Sequence, residues 1–268
     1  MNKITYINIS MGSKGNDDML IKNIFTTVSS RNSAIIFYAI ALYPFLYLIT
    51  LILPTNFMQI GGETNSLSGL EFYYGILLAQ SQFAVPLILM TYFVSYLFFE
   101  EYESGRLIFY KDISRIRLYN SKLVALFSMY IIYYVILFVS SEILYFTYIH
   151  QYDYASGAFL SNVQETNYST ILCIVGIFCI TLIAICFSVM LSMKLSTGFN
   201  ILSVIVLLMF MVIAPMIHGL KYLFPNGYDH AITPSDLLTK LGLMILTTLL
   251  YSVICYLVGL KMFKKLEY

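Results

Sequence analysis

The sequence predicts an all-α membrane protein with six transmembrane helices, on the basis of its composition, its long apolar runs and the uneven distribution of its basic residues. Of the 268 residues, 59% are apolar and 11% are charged, with a mean hydropathy of +0.80. A soluble domain carries roughly a quarter charged residues, and a helix needs about 20 mostly apolar residues to cross a bilayer. Six ranges meet that requirement: 33–53, 72–99, 123–147, 169–193, 199–218 and 240–260.

The apolar runs are continuous and lack the alternating ten-residue pattern of membrane strands, which favours a helical bundle. The four cysteines all fall inside predicted spans and form no CxxC pair, so we interpret them as small buried apolar residues. The polar residues 1–32 do not have the pattern of a signal peptide, and no cleaved leader is expected.

Basic residues predict the orientation, because cytoplasmic segments of membrane proteins are enriched in Lys and Arg. The ranges 54–71 and 148–168 contain no Lys or Arg, and 219–239 contains only Lys221. Basic residues instead precede the first span and follow the second, fourth and sixth. Both termini and the stretch between spans 2 and 3 are therefore predicted to be cytoplasmic.

The residues before the first span predict a polar tail over 1–17 and an amphipathic helix over 18–32 that lies in the membrane interface. Asp18 is a candidate N-cap. Apolar residues then recur at helical spacing, at Met19, Leu20, Ile24 and Val28. The alternative is that this helix is only the start of span 1.

Prolines predict irregular backbone at two depths of the membrane. Pro86 and Pro215 are expected to kink spans 2 and 5. Pro225 and Pro234 interrupt an apolar pattern in the range 219–239. We expect a broken outer segment there, with one or two short helices that dip into the outer leaflet.

The most informative stretch is FFEEYESGRLIFYKDISRIRLYNSKLVALF, residues 98–127, which concentrates charge of both signs between spans 2 and 3. Gly105 is expected to end the helix that leaves span 2, and Asp112 or Ser114 to cap the next. Basic residues here could anchor the loop to anionic lipid headgroups. Three glutamates at the same surface do not fit that explanation, because lipid phosphates would repel them.

This stretch resembles the permease subunits of type-2 ATP-binding-cassette (ABC) transporters, of the small bacterial six-span type. Such subunits leave span 2 through an acidic, glycine-containing run and enter span 3 through a Ser-Arg pair followed by a Lys. Asp112 and Ser121 stand near positions where the family usually has Pro and Gly. The resemblance implies an ATPase-coupling role for a segment spanning 100–122, with these residues: Glu100, Glu101, Glu103, Gly105, Arg106, Lys111, Asp112, Ser114, Arg115, Arg117 and Lys122.

The same resemblance implies the partners. The chain has no GxxxxGK[ST] loop, and GSKG at 12–15 lacks the required spacing. ATP and Mg²⁺ are therefore expected in a separate cytoplasmic ABC ATPase subunit, present as a dimer, and no cofactor is expected in this chain. A second copy of the chain, or a related permease, would complete the path. Nothing in the charge pattern predicts nucleic-acid binding.

Polar residues within the spans are candidates for a substrate path, because unpaired polar groups are costly in hydrocarbon. They are Gln80, Gln82, Glu142 and Asn200. For Glu142 the alternative is that its side chain reaches the nearby outer interface. The mainly apolar lining favours an amphipathic or hydrophobic cargo, and the resemblance implies outward transport of a peptide toxin, bacteriocin or antibiotic across a bacterial cell membrane.

Two other functions are alternatives to export. A passive membrane immunity or binding protein would need no ATP, and it would have no reason to keep a coupling segment. An intramembrane protease is the more remote alternative: EEYESGR places Arg106 one residue too late for a Glu-Glu-x-x-x-Arg motif, which rotates the side chain by about 100°. His150, His218 and His230 are predicted on the side opposite the glutamates.

Overall fold

The computed structural model describes residues 15–49 and 63–266. Within these ranges every element of regular secondary structure is a helix. Eight α-helices of nine residues or more follow one another in these ranges: α1 Gly15–Ser29, α2 Asn32–Ile40, α3 Gly69–Phe83, α4 Val85–Ser95, α5 Arg115–Thr147, α6 Gln164–Leu191, α7 Thr197–Ile213 and α8 Pro234–Lys264. In the described ranges the nearest approach to a strand is one isolated bridge between Leu67 and Ala155.

Four helices are long and apolar enough to cross a membrane: those that begin at Arg115, Gln164, Thr197 and Pro234. They coincide with predicted spans 3, 4, 5 and 6. A fifth candidate is the pair α3 and α4, whose axes differ by 58°. The chain is therefore a helical protein with four or five candidate membrane-spanning segments among its described residues.

The first predicted span differs from the expectation. Residues 32–40 form the short α2, and a 3₁₀ segment follows at Tyr43–Leu48 with Pro44 in its first turn. Residues 50–53 of this predicted span lie outside the described residues, as do 1–14 of the predicted tail. The described part alone is too short and too irregular to count as a crossing helix.

Span 2 bends at Ala84, which adopts a left-handed backbone conformation with φ 54°. Pro86 follows in the first turn of α4 and has no N–H to continue the ladder of α3. The predicted interruption at Pro86 is thus present, two residues earlier. Pro215 does not kink a continuous helix. α7 ends at Ile213, and the proline lies in a 3₁₀ turn that follows, Ala214–Met216.

α6 lies at the centre and packs against α3, α4, α7 and α8, while α5 packs against α1 and α3. The predicted stripe of α1 is largely correct: Leu20, Ile24 and Val28 are buried, but Met19 is exposed. Asp18 is not its N-cap, since α1 begins at Gly15. This apolar face is covered by protein, so it is not free to insert into lipid.

The connections lie at two opposite ends of the bundle. The basic end holds Arg31 and the connection between α4 and α5, and the last turn of α8. The loop end holds the connections 148–163 and 217–233. In the second of these the predicted short helices reduce to one 3₁₀ turn, Pro225–Gly227.

Candidate functional site

A buried ion pair lies at the basic end. The Nζ of Lys122 on α5 is 2.7 Å from Oε2 of Glu101, and the Lys122 side chain is 0% exposed. Nζ also donates a hydrogen bond to the carbonyl oxygen of Leu97. The rings of Phe98 and Phe263 lie 5.1 and 5.7 Å from the ammonium. Lys122 thus joins the end of span 2 to the start of α5 and to the last turns of α8.

A π-turn positions the acidic partner. After α4 the backbone winds more widely over Tyr96–Glu100 before one last α-turn, Glu101–Glu103. A π-turn adds one residue to a helical turn and rotates everything after it. In this chain, Leu97 and Glu101 both reach the same ammonium group across the interface with α5.

The connection that follows forms a compact knob, residues 104–114, which we call the 104–114 knob. Gly105 has φ 68°, a left-handed conformation that glycine adopts without steric cost, so the predicted helix end is confirmed. A 3₁₀ turn, Arg106–Tyr110, buries Leu107 and exposes the two residues that follow it. Ile108 is 54% exposed and Phe109 is 78% exposed. The knob therefore presents an apolar tip.

Tyr110 ties the knob to the buried ion pair. Its ring centroid lies 6.0 Å from the Lys122 ammonium. Burial, reinforced by the nearby Glu101 carboxylate, raises the pKa of Tyr110 to about 12, so the hydroxyl is neutral at any physiological pH. Leu107 and Tyr110 therefore anchor the apolar tip in the protein, and Tyr110 does so next to the buried ion pair.

Charged groups flank the tip on both sides. Glu103, Lys111 and Asp112 are exposed, as is Ser114, while Glu100, Arg106 and Arg117 are half-buried. Ser114 occupies the N-cap position of α5, without a side-chain hydrogen bond to the helix. A partner docked here would meet both signs of charge within two turns of Phe109.

Three arginines brace this end of the bundle. The guanidinium of Arg31 lies 3.7 Å from the centre of the Tyr96 ring, and Arg106 donates to the Tyr96 hydroxyl at 3.3 Å. Arg115 donates to the carbonyl oxygen of Leu266 at 2.8 Å. The predicted coupling residues therefore form two sets. One set is buried or braces the helices, and the other set is exposed and open to a partner in this conformation.

Two of the candidate path residues are tied into the helix packing. Gln80 donates from Nε2 to the carbonyl oxygen of Ile40 at 2.9 Å and accepts from the Tyr133 hydroxyl. Asn200 is fully buried and donates from Nδ2 to the hydroxyls of Ser95 and Ser188, at 2.9 and 3.1 Å. Both residues hold neighbouring helices together.

Gln82 and Glu142 lie nearer the loop end. Gln82 is exposed on a cavity of about 410 Å³ between α3, α6 and α7. The lining of that cavity is mainly apolar and also includes Tyr74, Asn226 and Asp229. Glu142 is not among the residues that line it; its carboxyl group is buried against the start of α3.

The histidines lie away from the glutamates of the basic end. His150 follows α5, His218 follows α7, and His230 precedes α8, where its Nε2 is 3.3 Å from Oε1 of Glu165. Within the described ranges, no three His, Cys, Asp or Glu side chains are grouped so as to hold a metal ion. The four cysteines are unpaired; Cys179 and Cys255 are buried, and the other two are half-buried.

Two features of the basic end were missed by sequence reasoning. The sequence names Glu101 and Lys122 separately but does not pair them, and it does not single out Phe109. The signal for Phe109 was present in RLIFYK, since an apolar triplet between charged residues in a connection too short to bury it must leave part of it exposed.

Comparison of the chain with protein-family models, curated proteins and solved structures finds no match. The resemblance to type-2 permeases therefore depends on the residues of the 98–127 stretch, and the function proposed below depends on the geometry of that stretch.

Proposed function

We propose that this chain is the membrane-spanning permease subunit of an ATP-driven ABC exporter, which moves an amphipathic or hydrophobic compound out of a bacterial cell with a separate ATPase subunit. The observation that carries the proposal is the exposed apolar tip of the 104–114 knob, Ile108 and Phe109, set among charges of both signs. An apolar anchor within a charged rim is the usual composition of a protein-docking site.

Lipid is the competing explanation for an exposed phenylalanine next to a membrane. The acidic residues Glu103 and Asp112 count against it, because the cytoplasmic leaflet has a negative surface potential that attracts basic segments and repels acidic ones. Mixed charge instead favours a protein partner with complementary charges, which fixes the register of docking and excludes wrong partners.

The buried ion pair gives the tip a mechanical connection to the spans. Lys122 holds the end of span 2 and the start of α5 against each other, and Tyr110 and Leu107 fix the knob on the same site. A movement of a docked ATPase would then displace both spans together rather than deform the connection. In this proposal Lys122 and Glu101 are positioning residues, and Phe109 is the contact residue.

The cavity near Gln82 supports the choice of cargo. Its volume of about 410 Å³ falls within the range of about 300–1,000 Å³ of small-molecule sites. A mainly apolar lining with a few polar groups fits a compound that is itself amphipathic. A second copy of this chain, or a related permease, would close the open side of the cavity.

The test is affinity purification of the chain from its native membrane in mild detergent, followed by mass spectrometry and an ATPase assay. We expect an ABC ATPase subunit near stoichiometric amounts, lost when Phe109 is replaced by Ser. Phe199→Ser is the matched control, because Phe199 is 65% exposed on α7 but lies outside the knob. An ATPase-free preparation that still binds a hydrophobic peptide would contradict the exporter and favour a passive immunity or binding protein.

A further inference from the structure

Glu142 is a half-buried residue whose carboxyl oxygens are buried and have no partner among the described residues. It lies near the loop end of α5, and neither carboxyl oxygen has a hydrogen-bond partner or measurable contact with solvent. Oε2 lies 2.8 Å from the place that a Cβ on Gly69 would occupy, so the carboxyl group packs directly on the first residue of α3. A side chain at position 69 would force the carboxyl group to move.

Among the described residues, the surroundings of Glu142 are aromatic and contain no counter-charge. Tyr73 of α3 lies close enough to interact with it electrostatically, and Tyr145 follows one turn later on α5. The Tyr145 hydroxyl donates to the carbonyl oxygen of Leu67 at 2.7 Å, and so it is not available to Glu142. The other titratable groups on the flanking segments 43–48, 63–73 and 148–154 are Tyr43, Tyr47, Glu63, Glu71, Tyr148, the exposed His150, Tyr152, Asp153 and Tyr154.

Glu71 is the other acidic residue at the start of α3, and unlike Glu142 it has hydrogen-bond partners. Its Oε2 accepts from the backbone N–H of Ser68 at 3.0 Å and from the Ser68 hydroxyl at 2.6 Å, which completes a capping box. The two acids therefore differ in their partners. The Glu71 carboxyl group accepts two hydrogen bonds from Ser68, whereas no described residue donates one to Glu142.

An unpaired carboxylate in a membrane span is costly, and the neutral acid costs much less. We propose that Glu142 is a proton-binding site, which holds its proton while two loops are closed over it and releases the proton when they separate. On release the O–H bond of the carboxylic acid breaks, the proton passes to water at the loop end, and the carboxylate becomes hydrated.

The two loops that would act as the lid are residues 63–70 and 151–160. They run side by side through backbone hydrogen bonds, among them Leu67 to Tyr154, Gly69 to Ala158 and Leu70 to Phe159, at 2.9, 3.0 and 3.0 Å. Because Gly69 belongs to the lid and also covers the carboxyl group, separation of the loops exposes Glu142. The proposal goes beyond ATP-driven transport and does not depend on it.

The chain itself, in detergent or nanodiscs, is enough for the test. Dicyclohexylcarbodiimide adds to protonated carboxyl groups in apolar surroundings, and mass spectrometry locates the adduct. We expect labelling of Glu142 that falls about tenfold for each pH unit once the acid ionises, and no adduct at this position in Glu142→Gln. Glu63→Gln, which changes an exposed carboxylate of the lid, should leave the labelling unchanged.

Hydrogen exchange measures the lid in the same samples. In the wild-type chain, protection of the amides of residues 67–70 and 154–159 should fall as the pH rises through the same interval, because ionisation favours the open loops. In Glu142→Gln the protection should stay high and independent of pH, after correction for intrinsic exchange. If that variant does not fold, labelling of the wild-type chain decides alone.

Three results would overturn the proposal. They are absence of an adduct on Glu142 at any pH, labelling that does not change with pH, and a lid that responds to pH equally with Gln at this position. Protection of Glu142 by sodium at constant pH would also overturn it, because the site would then bind a metal cation in place of a proton.

Discussion

Replacement of Lys122 by Met is expected to destabilise the folded chain strongly. The ammonium is fully buried, and Met is similar in length but has no charge to offer Glu101, whose carboxylate is nearly as buried. Breaking a buried pair by removal of one partner costs about 3–5 kcal/mol, because the other charge is left uncompensated. The Leu97 carbonyl oxygen also loses the donor that it shares with Glu101.

The double variant Lys122→Met with Glu101→Met separates the ion pair from the packing. Replacement of both partners by apolar residues of similar volume is often neutral or stabilising, so most of the lost stability should return. For a protein of 150–250 residues, about 1 kcal/mol shifts the melting midpoint by about 2–4 °C. On that scale the single variant should melt roughly 6–20 °C lower than the wild type.

The assay is thermal unfolding of the purified chain in detergent, followed by circular dichroism at helical wavelengths, since the chain contains no Trp for fluorescence. A single variant that melts with the wild type would refute the reasoning. A double variant as unstable as the single one would also refute it, because the two side chains would then stabilise the chain through their packing and not through their charges.

Three further substitutions test other parts of the packing in the same melting assay. Asn200→Leu should cost about 1–3 kcal/mol, since the buried hydroxyl of Ser188 loses its donor; an unchanged midpoint would show that the site repacks freely. Gly227→Ala should cost more than the usual 1–3 kcal/mol or so of overpacking, because its Cβ would lie 1.6 Å from the carbonyl oxygen of Lys221; normal stability would contradict this turn. Ala84→Gly should stabilise by about 1 kcal/mol, because a left-handed Ala is strained and Gly is not; a loss of stability would mean that the bend depends on the methyl group.

Helix position could be predicted from the sequence wherever hydrophobicity alone decides it. Predicted span 3 lies within Arg115–Thr147, and predicted span 4 matches Gln164–Leu191 closely. Span 2 shows the limit, because proline at 86 signals an interruption but the left-handed residue is Ala84. Alanine has no preference for that conformation, and the bend is set by how α3 and α4 pack against α6.

The candidate site could be predicted only in part, for a related reason. The residue types of the charged stretch indicated that it matters, but the pairing of Glu101 with Lys122 depends on the extra residue of the π-turn. No local preference in YLFFE predicts that turn. The roles of Gln80 and Asn200 also escaped prediction, because Gln80 binds Ile40, 40 residues away, and Asn200 binds Ser95, 105 residues away along the chain.

The measurement that tests the central claim most directly is photo-crosslinking from position 109 in the native membrane. A photoreactive amino acid at 109 samples whatever touches the exposed tip, and the same residue at 199 reports on an equally exposed site outside the knob. The exporter proposal predicts a crosslink from 109, and none from 199, to a protein that contains a nucleotide-binding ABC domain. Crosslinks from both positions to lipid alone would contradict it.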